Sequence, residues 1–227
     1  MNPAEFRLVI GSGPTREWID PVRYISNPST GRTGWSLAKH GLDKFGEVVL
    51  ISGPGSPECR TVDGATNVAV ATTAAKTTAE REHHGDRSLL IMSAAPADYT
   101  PATPRPQKVK KQAGEPYTLT LMPTTDILKS IIPLAADWPN FYRVGFAAET
   151  NNVEEYAWRK MREKDLDFIC ANQVYRSEAG FGNNPNTLTV FNRGGEIAKI
   201  GPAEKDDLAA RLLAHIIAKI PQIQPVL

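Results

Sequence analysis

The 227-residue chain reads as one α/β domain, a doubly wound, mostly parallel, Rossmann-like sheet with a late β-hairpin and a long flap loop. Three observations predict it. Short aliphatic runs recur along the chain and are continuous, not alternating, as strands buried on both faces must be. Stretches with helical spacing of apolar residues lie between those runs. The regular alternation of the two implies right-handed crossovers between parallel neighbours.

In chain order, "FRLVIG" (6–11) is the first strand, and the polar stretch "GPTREWIDPVRYISNPSTGRTG" (13–34) has so little apolar periodicity that it reads as a loop. A helix over about 32–45 leads to strands "EVVLISG" (47–53) and "NVAVA" (67–71). A helix over 73–84 precedes the strand "SLLIMSAA" (88–95). Residues 100–117, "TPATPRPQKVKKQAGEPY", carry four prolines and a basic cluster without periodicity, so a long closing loop is expected there. Helices over 125–136 and 151–165 flank the strand "YRVGFAA" (142–148), and "DFICAN" (167–172) follows. "NTLTVFN" and "EIAKI" across "RGG" form the hairpin, and a helix over about 205–220 closes a single domain, 1–227.

Composition removes several classes of function. A formal net charge of +1 gives no global attraction to nucleic acid or to an anionic membrane, so any anion site must be local. Two cysteines, Cys59 and Cys170, are too few for a disulfide framework or a thiolate metal site. No apolar run reaches the roughly 18 residues of a membrane span. The start "MNPAEFRLVI" has no signal-peptide pattern, so a cytoplasmic protein is expected.

The 13–34 stretch is not a Walker loop, because no Gly-Lys-Ser/Thr follows it. Nor is it a full dinucleotide fingerprint, since "GSGPTR" has two of the three glycines. Its second half suits an anion cradle. Gly13, Gly31 and Gly34 allow close backbone approach, Ser26, Ser29 and Thr30 add hydroxyls, and the helix that starts there directs free N–H groups outward. Asn27 adds an amide that can donate a hydrogen bond to a carbonyl without titrating. A loop held by Asx and Ser turns is the plainer reading.

Lys108, Lys110 and Lys111 stand in the proline-rich loop, either solvated or carried over a site when the loop closes. On the helix over 151–165, Lys160 and Lys164 fall in the middle of the arc made by Val153, Tyr156, Ala157 and Met161. Two inward lysines one turn apart repel each other and lose hydration unless an anion lies near, or unless their amines reach out past the helix end. Asp98 ends a strand, where doubly wound sheets bind ligands; it suits ribose hydroxyls, a metal ion on phosphates, or a turn cap. Phe146 ends another strand, as core or as a stacking face. Cys170 reads as a small buried residue, and His40, His83, His84 and His215 show no ligand spacing.

Together, "GPTREWIDPVRYISNPSTG", "SAAPADY", "KVKK", "TDIL", "GFAAETNNVEEYA" and "DFICAN" resemble phosphopantothenoylcysteine synthetases, in order, over roughly 6–200. The resemblance implies a ligase that joins 4'-phosphopantothenate to L-cysteine through an acyl-nucleotide, with release of pyrophosphate. It implies CTP as the bacterial nucleotide and ATP as the animal one, Mg2+ on the triphosphate, and a homodimer with the site near its interface. In many bacteria the domain follows a flavin-dependent decarboxylase; this chain looks like the synthetase alone, binding no flavin, with a decarboxylase expected as a separate partner. By position, Asn27 is the catalytic asparagine and Lys108 the first lysine of the flap's K-x-K-K. Met92, Ser93, Ala94, Asp98, Lys108, Thr125, Asp126, Ile127, Leu128, Phe146, Lys160 and Lys164 are nucleotide positions. Thr33 stands where the family carries methionine, and Thr125 where proline is frequent.

Two rivals stand beside it. A nicotinamide-dependent oxidoreductase is disfavoured by the missing third glycine and by the lack of an acid after "VVLISG". An idle nucleotide-binding module is disfavoured by the presence of both Asn27 and Lys108.

Overall fold

The computed structural model describes residues 2–111, 113–149, 152–173 and 186–223. The chain runs β1 (Arg7–Ser12), β2 (Arg16–Asp20), β3 (Arg23–Ser26), α1 (Arg32–Gly41), β4 (Glu47–Ser52), β5 (Thr66–Ala69), α2 (Thr73–Glu82) and β6 (Ser88–Met92). It continues through β7 (Tyr99–Pro101), β8 (Leu121–Pro123), α3 (Ile127–Ala135), β9 (Phe141–Glu149), α4 (Val153–Glu163) and β10 (Phe168–Gln173). The hairpin β11 (Asn186–Asn192) and β12 (Gly195–Ala203) and then α5 (Lys205–Lys219) complete it.

Eight strands form one sheet in the order β12-β11-β10-β9-β6-β1-β4-β5, parallel except for the final hairpin. The continuous apolar runs follow from burial on both faces. Leu8 and Ile10 of β1 pack with Leu37 of α1 and Leu212 of α5, while Val9 between them packs with Ala79 of α2 and Ile131 of α3. From β1 the chain winds outward through β4 and β5, then crosses back to place β6 on the other side of β1. The carboxyl ends of β1 and β6 are therefore the switch point where such sheets open a crevice.

The structure departs from the sequence reading in two places. Residues 16–26 are not a loop but the β2–β3 hairpin, with Trp18 and Tyr24 edge to face at 5.2 Å. Its strands have five and four residues, too short for a period of two to stand out. The 100–117 segment is the tip of a second ribbon, β7–β8, closed at its base by the Ala102 N–H on the Thr120 carbonyl at 2.9 Å. Gln112 within it lies outside the described residues. Among the described residues, no helix is long and apolar enough to cross a membrane.

Candidate active site

Two cavities of about 300 and 350 Å³ meet over the carboxyl ends of β6, β9 and β10. They share four residues, Ala94, Asp98, Phe146 and Lys160, and so form one cleft. The first also holds Asn27, Ser29, Thr30 and Ser93; the second holds Met92, Thr125, Asp126, Ile127, Leu128 and Lys164. Nearly every expected nucleotide position is brought together here.

Two constraints keep the cleft's shape. Thr124 donates from its N–H to the Asp98 carbonyl at 2.9 Å and from its hydroxyl to the Ala97 carbonyl at 2.7 Å, fixing the segment after β6. Lys76, fully buried on α2, donates to the carbonyls of Ser12 at 2.9 Å and Ile51 at 2.7 Å, tying the ends of β1 and β4 from below. Burial pushes the ammonium of Lys76 down and the carboxyl of Glu80, one turn further along, up.

Asn27 lines the first cavity, and its Nδ2 donates to the carbonyls of Pro96 at 2.9 Å and Ala95 at 3.3 Å. Two carbonyl acceptors fix the orientation of the amide, and its oxygen is left as the acceptor for a ligand.

The cradle residues divide. Ser29 and Thr30 line the cleft, and each hydroxyl accepts a nearby backbone N–H, from Gly31 at 3.4 Å and from Arg32 at 3.3 Å. The Ser-turn reading is thus present, and among the described residues no side chain caps the N–H groups of Thr33 and Gly34 at the start of α1. Gly13, Gly31 and Gly34 line neither cavity, contrary to expectation. Gly31 has φ +82° as the residue before α1, and a Cβ on Gly34 would collide with the Ser12 side chain. They let α1 sit down on β1. Ser26 is also outside the cleft: it lines a shallower adjoining groove, and its hydroxyl donates to the Thr15 carbonyl at 2.7 Å.

Lys108 is exposed and lines neither cavity. Its neighbour Val109 is anchored instead: the Val109 N–H donates to Asp20 at 3.1 Å, and Arg23 donates to the Val109 carbonyl at 2.9 Å. Hydrogen bonds from the Arg23 guanidinium hold the Asp20 carboxyl well below the usual carboxylate range. The sequence could not place the flap, because this anchor joins residues 89 positions apart.

Lys160 lines both cavities and Lys164 the second, as the helical wheel predicts. Asp98 is exposed at the junction. Among the described residues there is no cluster of three or more His, Cys, Asp or Glu able to hold a metal ion. The carboxylates that line the cleft are Asp98 and Asp126. Sequence reasoning missed Asn172, Asn186 and Lys205 in the first cavity. Asn172 had a signal, as the last residue of "DFICAN" at a strand end; the other two had none.

A family model described as the DNA/pantothenate metabolism flavoprotein C-terminal domain matches residues 4–220. The "Coenzyme A biosynthesis bifunctional protein CoaBC" of Escherichia coli is 41% identical over 212 residues, covering 91% of this chain and 50% of that protein. Its namesake in Bacillus subtilis is 39% identical over 211 residues, covering 93% and 51%. The chain thus spans about half the length of the curated relatives it matches. The solved C-terminal domain of a CoaBC protein is 31% identical with a TM-score of 0.77, covering 98% of this chain and all of that one. The chain belongs to the DNA/pantothenate metabolism flavoprotein C-terminal domain family.

Proposed function

We propose that this domain is a cytoplasmic phosphopantothenate–cysteine ligase that uses CTP, a single synthetase domain making phosphopantothenoylcysteine for coenzyme A biosynthesis. One observation carries the reading: the cavity lined by Lys160, Lys164 and residues 125–128 shares a wall of Ala94, Asp98, Phe146 and Lys160 with the one lined by Asn27. A triphosphate in the former lies against an acyl group in the latter.

The chemistry has two steps. A carboxylate oxygen of phosphopantothenate attacks the α-phosphorus of CTP, and the bond to pyrophosphate breaks. The cysteine amine then attacks the acyl carbon, CMP leaves, and the amine loses a proton. Lys160, Lys164 and the open N–H groups of α1 supply fixed positive potential where charge builds up, with no reorganisation cost. Mg2+ on the phosphates, with Asp98 beside it, would neutralise the rest. The amide oxygen of Asn27 accepts from the incoming amine and orients it. Lys108 reaches the triphosphate only when the flap moves, with Asp20 and Arg23 as its latch.

The β2–β3 and β7–β8 ribbons touch through β2 and β7 and expose Trp18, Val22, Tyr24, Tyr99, Leu121 and Met122. That much exposed apolar surface supports a homodimer formed there. A flavin-dependent decarboxylase, fused or separate, would consume the product.

The test is pyrophosphate release with each nucleoside triphosphate in turn, with and without phosphopantothenate. Release with CTP that requires phosphopantothenate is expected. Release that ignores the acid, or its absence with every nucleotide, overturns the reading.

A further inference from the structure

Three buried side chains outside the cleft form a hydrogen-bonded chain that the ligase chemistry does not use. Thr15 and Thr73 are 0% and 2% exposed and Glu17 is 6% exposed, and none of them lines either cavity. Glu17 lies on β2, and its Oε1 accepts both the N–H and the hydroxyl of Thr73, the first residue of α2, each at 2.8 Å. The hydroxyls of Thr73 and Thr15 are 2.9 Å apart, and the Thr15 hydroxyl oxygen accepts the Ala97 N–H at 2.9 Å. A hydroxyl has one proton to give. That of Thr73 goes to Glu17, so Thr15 is the donor to Thr73. The chain therefore runs one way, from Ala97 through Thr15 and Thr73, and the carboxylate at its end sets the direction of every bond.

Its other end reaches the site twice. Ala97 separates Pro96, whose carbonyl takes the Asn27 amide at 2.9 Å, from Asp98, which lines both cavities. The Thr15 carbonyl also accepts the hydroxyl of Ser26, the residue before Asn27, at 2.7 Å. Both sides of the contact between Asn27 and Pro96 are thus held from Thr15, and Glu17 holds Thr15 through Thr73. Without the carboxylate, buried hydroxyls are left to turn, and small displacements at a reacting centre cost rate steeply.

We propose that Glu17 is a positioning residue: acting through Thr73 and Thr15, it fixes Asn27 against the 96–98 segment in the geometry that the reaction needs. The reaction served rests on the ligase reading; the effect of Glu17 on Asn27 does not.

The experiment compares wild type, Glu17→Met, Glu17→Gln and Thr15→Val, with circular dichroism confirming the fold of each. Glu17→Gln keeps the Oε1 acceptor, and Glu17→Met keeps the length without it. One arm records the side-chain amide resonances of Asn27 in isotope-labelled protein without substrates. They are expected to shift in Glu17→Met and Thr15→Val and to stay near their wild-type positions in Glu17→Gln. The other arm measures turnover with CTP, phosphopantothenate and cysteine. There Glu17→Met should lose about tenfold in kcat with the KM for CTP within about twofold, and Glu17→Gln should recover most of that loss. Adding Thr15→Val to Glu17→Met should cost nothing further, because both break one chain. Thr15→Val reads the same outcomes where Glu17→Met does not fold. Unmoved Asn27 resonances, losses that multiply in the double variant, or failure of both single variants to fold, which makes the chain a support of the whole domain, overturn the positioning. An inactive wild type overturns the ligase reading alone, since the resonances still judge the positioning.

Discussion

The Nζ of Lys164 lies 3.1 Å from Oδ2 of Asp126, while Oδ1 of Asp126 accepts the N–H of Lys129 and caps α3. One carboxylate therefore starts a helix and partners one of the two lysines that the wheel turned inward. The repulsion expected between Lys160 and Lys164 is relieved in part by a protein anion before any nucleotide arrives.

Asp126→Ala should cost about 1 kcal/mol of stability through the lost cap, whereas Asp126→Asn should keep the cap. Thermal denaturation of the two variants separates the roles. Equal losses in both would mean that the ion pair, not the cap, carries the stability.

Lys160→Met should weaken nucleotide binding about tenfold, since one ammonium on a phosphate is worth on the order of 1.4 kcal/mol. The melting temperature of the empty protein, measured alongside, separates a loss of binding from a loss of folding. A lower melting temperature with unchanged nucleotide affinity would show that the amine only reaches past the helix end.

Asn27→Ala should slow capture of cysteine and let the acyl-cytidylate accumulate, read by quenching the reaction and resolving the intermediate. Asn27→Asp should be worse for folding as well, because it turns carboxylate oxygens toward the Ala95 and Pro96 carbonyls. Full turnover by Asn27→Ala would rule out its place in the chemistry.

Lys108→Gln should cripple pyrophosphate release and leave the melting temperature within about 1 °C, since an exposed side chain contributes little to stability. Asp20→Ala should instead lower both, by freeing the flap and removing buried hydrogen bonds. Normal activity in Asp20→Ala would show that the latch does not govern closure.

Glu80 is fully buried, with no hydrogen-bond partner among the described residues; His84 Nε2 is 3.7 Å away. Burial raises the Glu80 carboxyl above its ordinary 4.5, so between that value and the raised one the folded state holds a proton that the unfolded state has lost. Stability from this group is complete below 4.5 and falls as pH climbs through the folded value. Glu80→Gln should therefore gain on the wild type as pH rises, at up to about 1.4 kcal/mol per pH unit. Urea titrations from about pH 4 to 8 check it, and a constant difference between the two proteins would contradict it.

The sheet was legible because its signal is local. "FRLVIG", "EVVLIS" and "SLLIM" are dominated by aliphatic residues with no polar alternation, and only a strand covered on both faces needs that. Asp98 was legible because it follows β6, where the strand ends open the cleft; Phe146, expected at a strand end, instead lies inside β9, three residues before its last residue. The helical wheel turned Lys160 and Lys164 inward because 3.6 residues per turn is a property of the backbone. Tertiary structure alone decided the rest. It drew Asn186 and Lys205 into the cleft, set Lys76 under the ends of β1 and β4, and moored the flap to Asp20 through Val109. Each of these joins residues far apart in the chain, and contacts of that kind leave no period in a sequence, because they exist only once the sheet has closed.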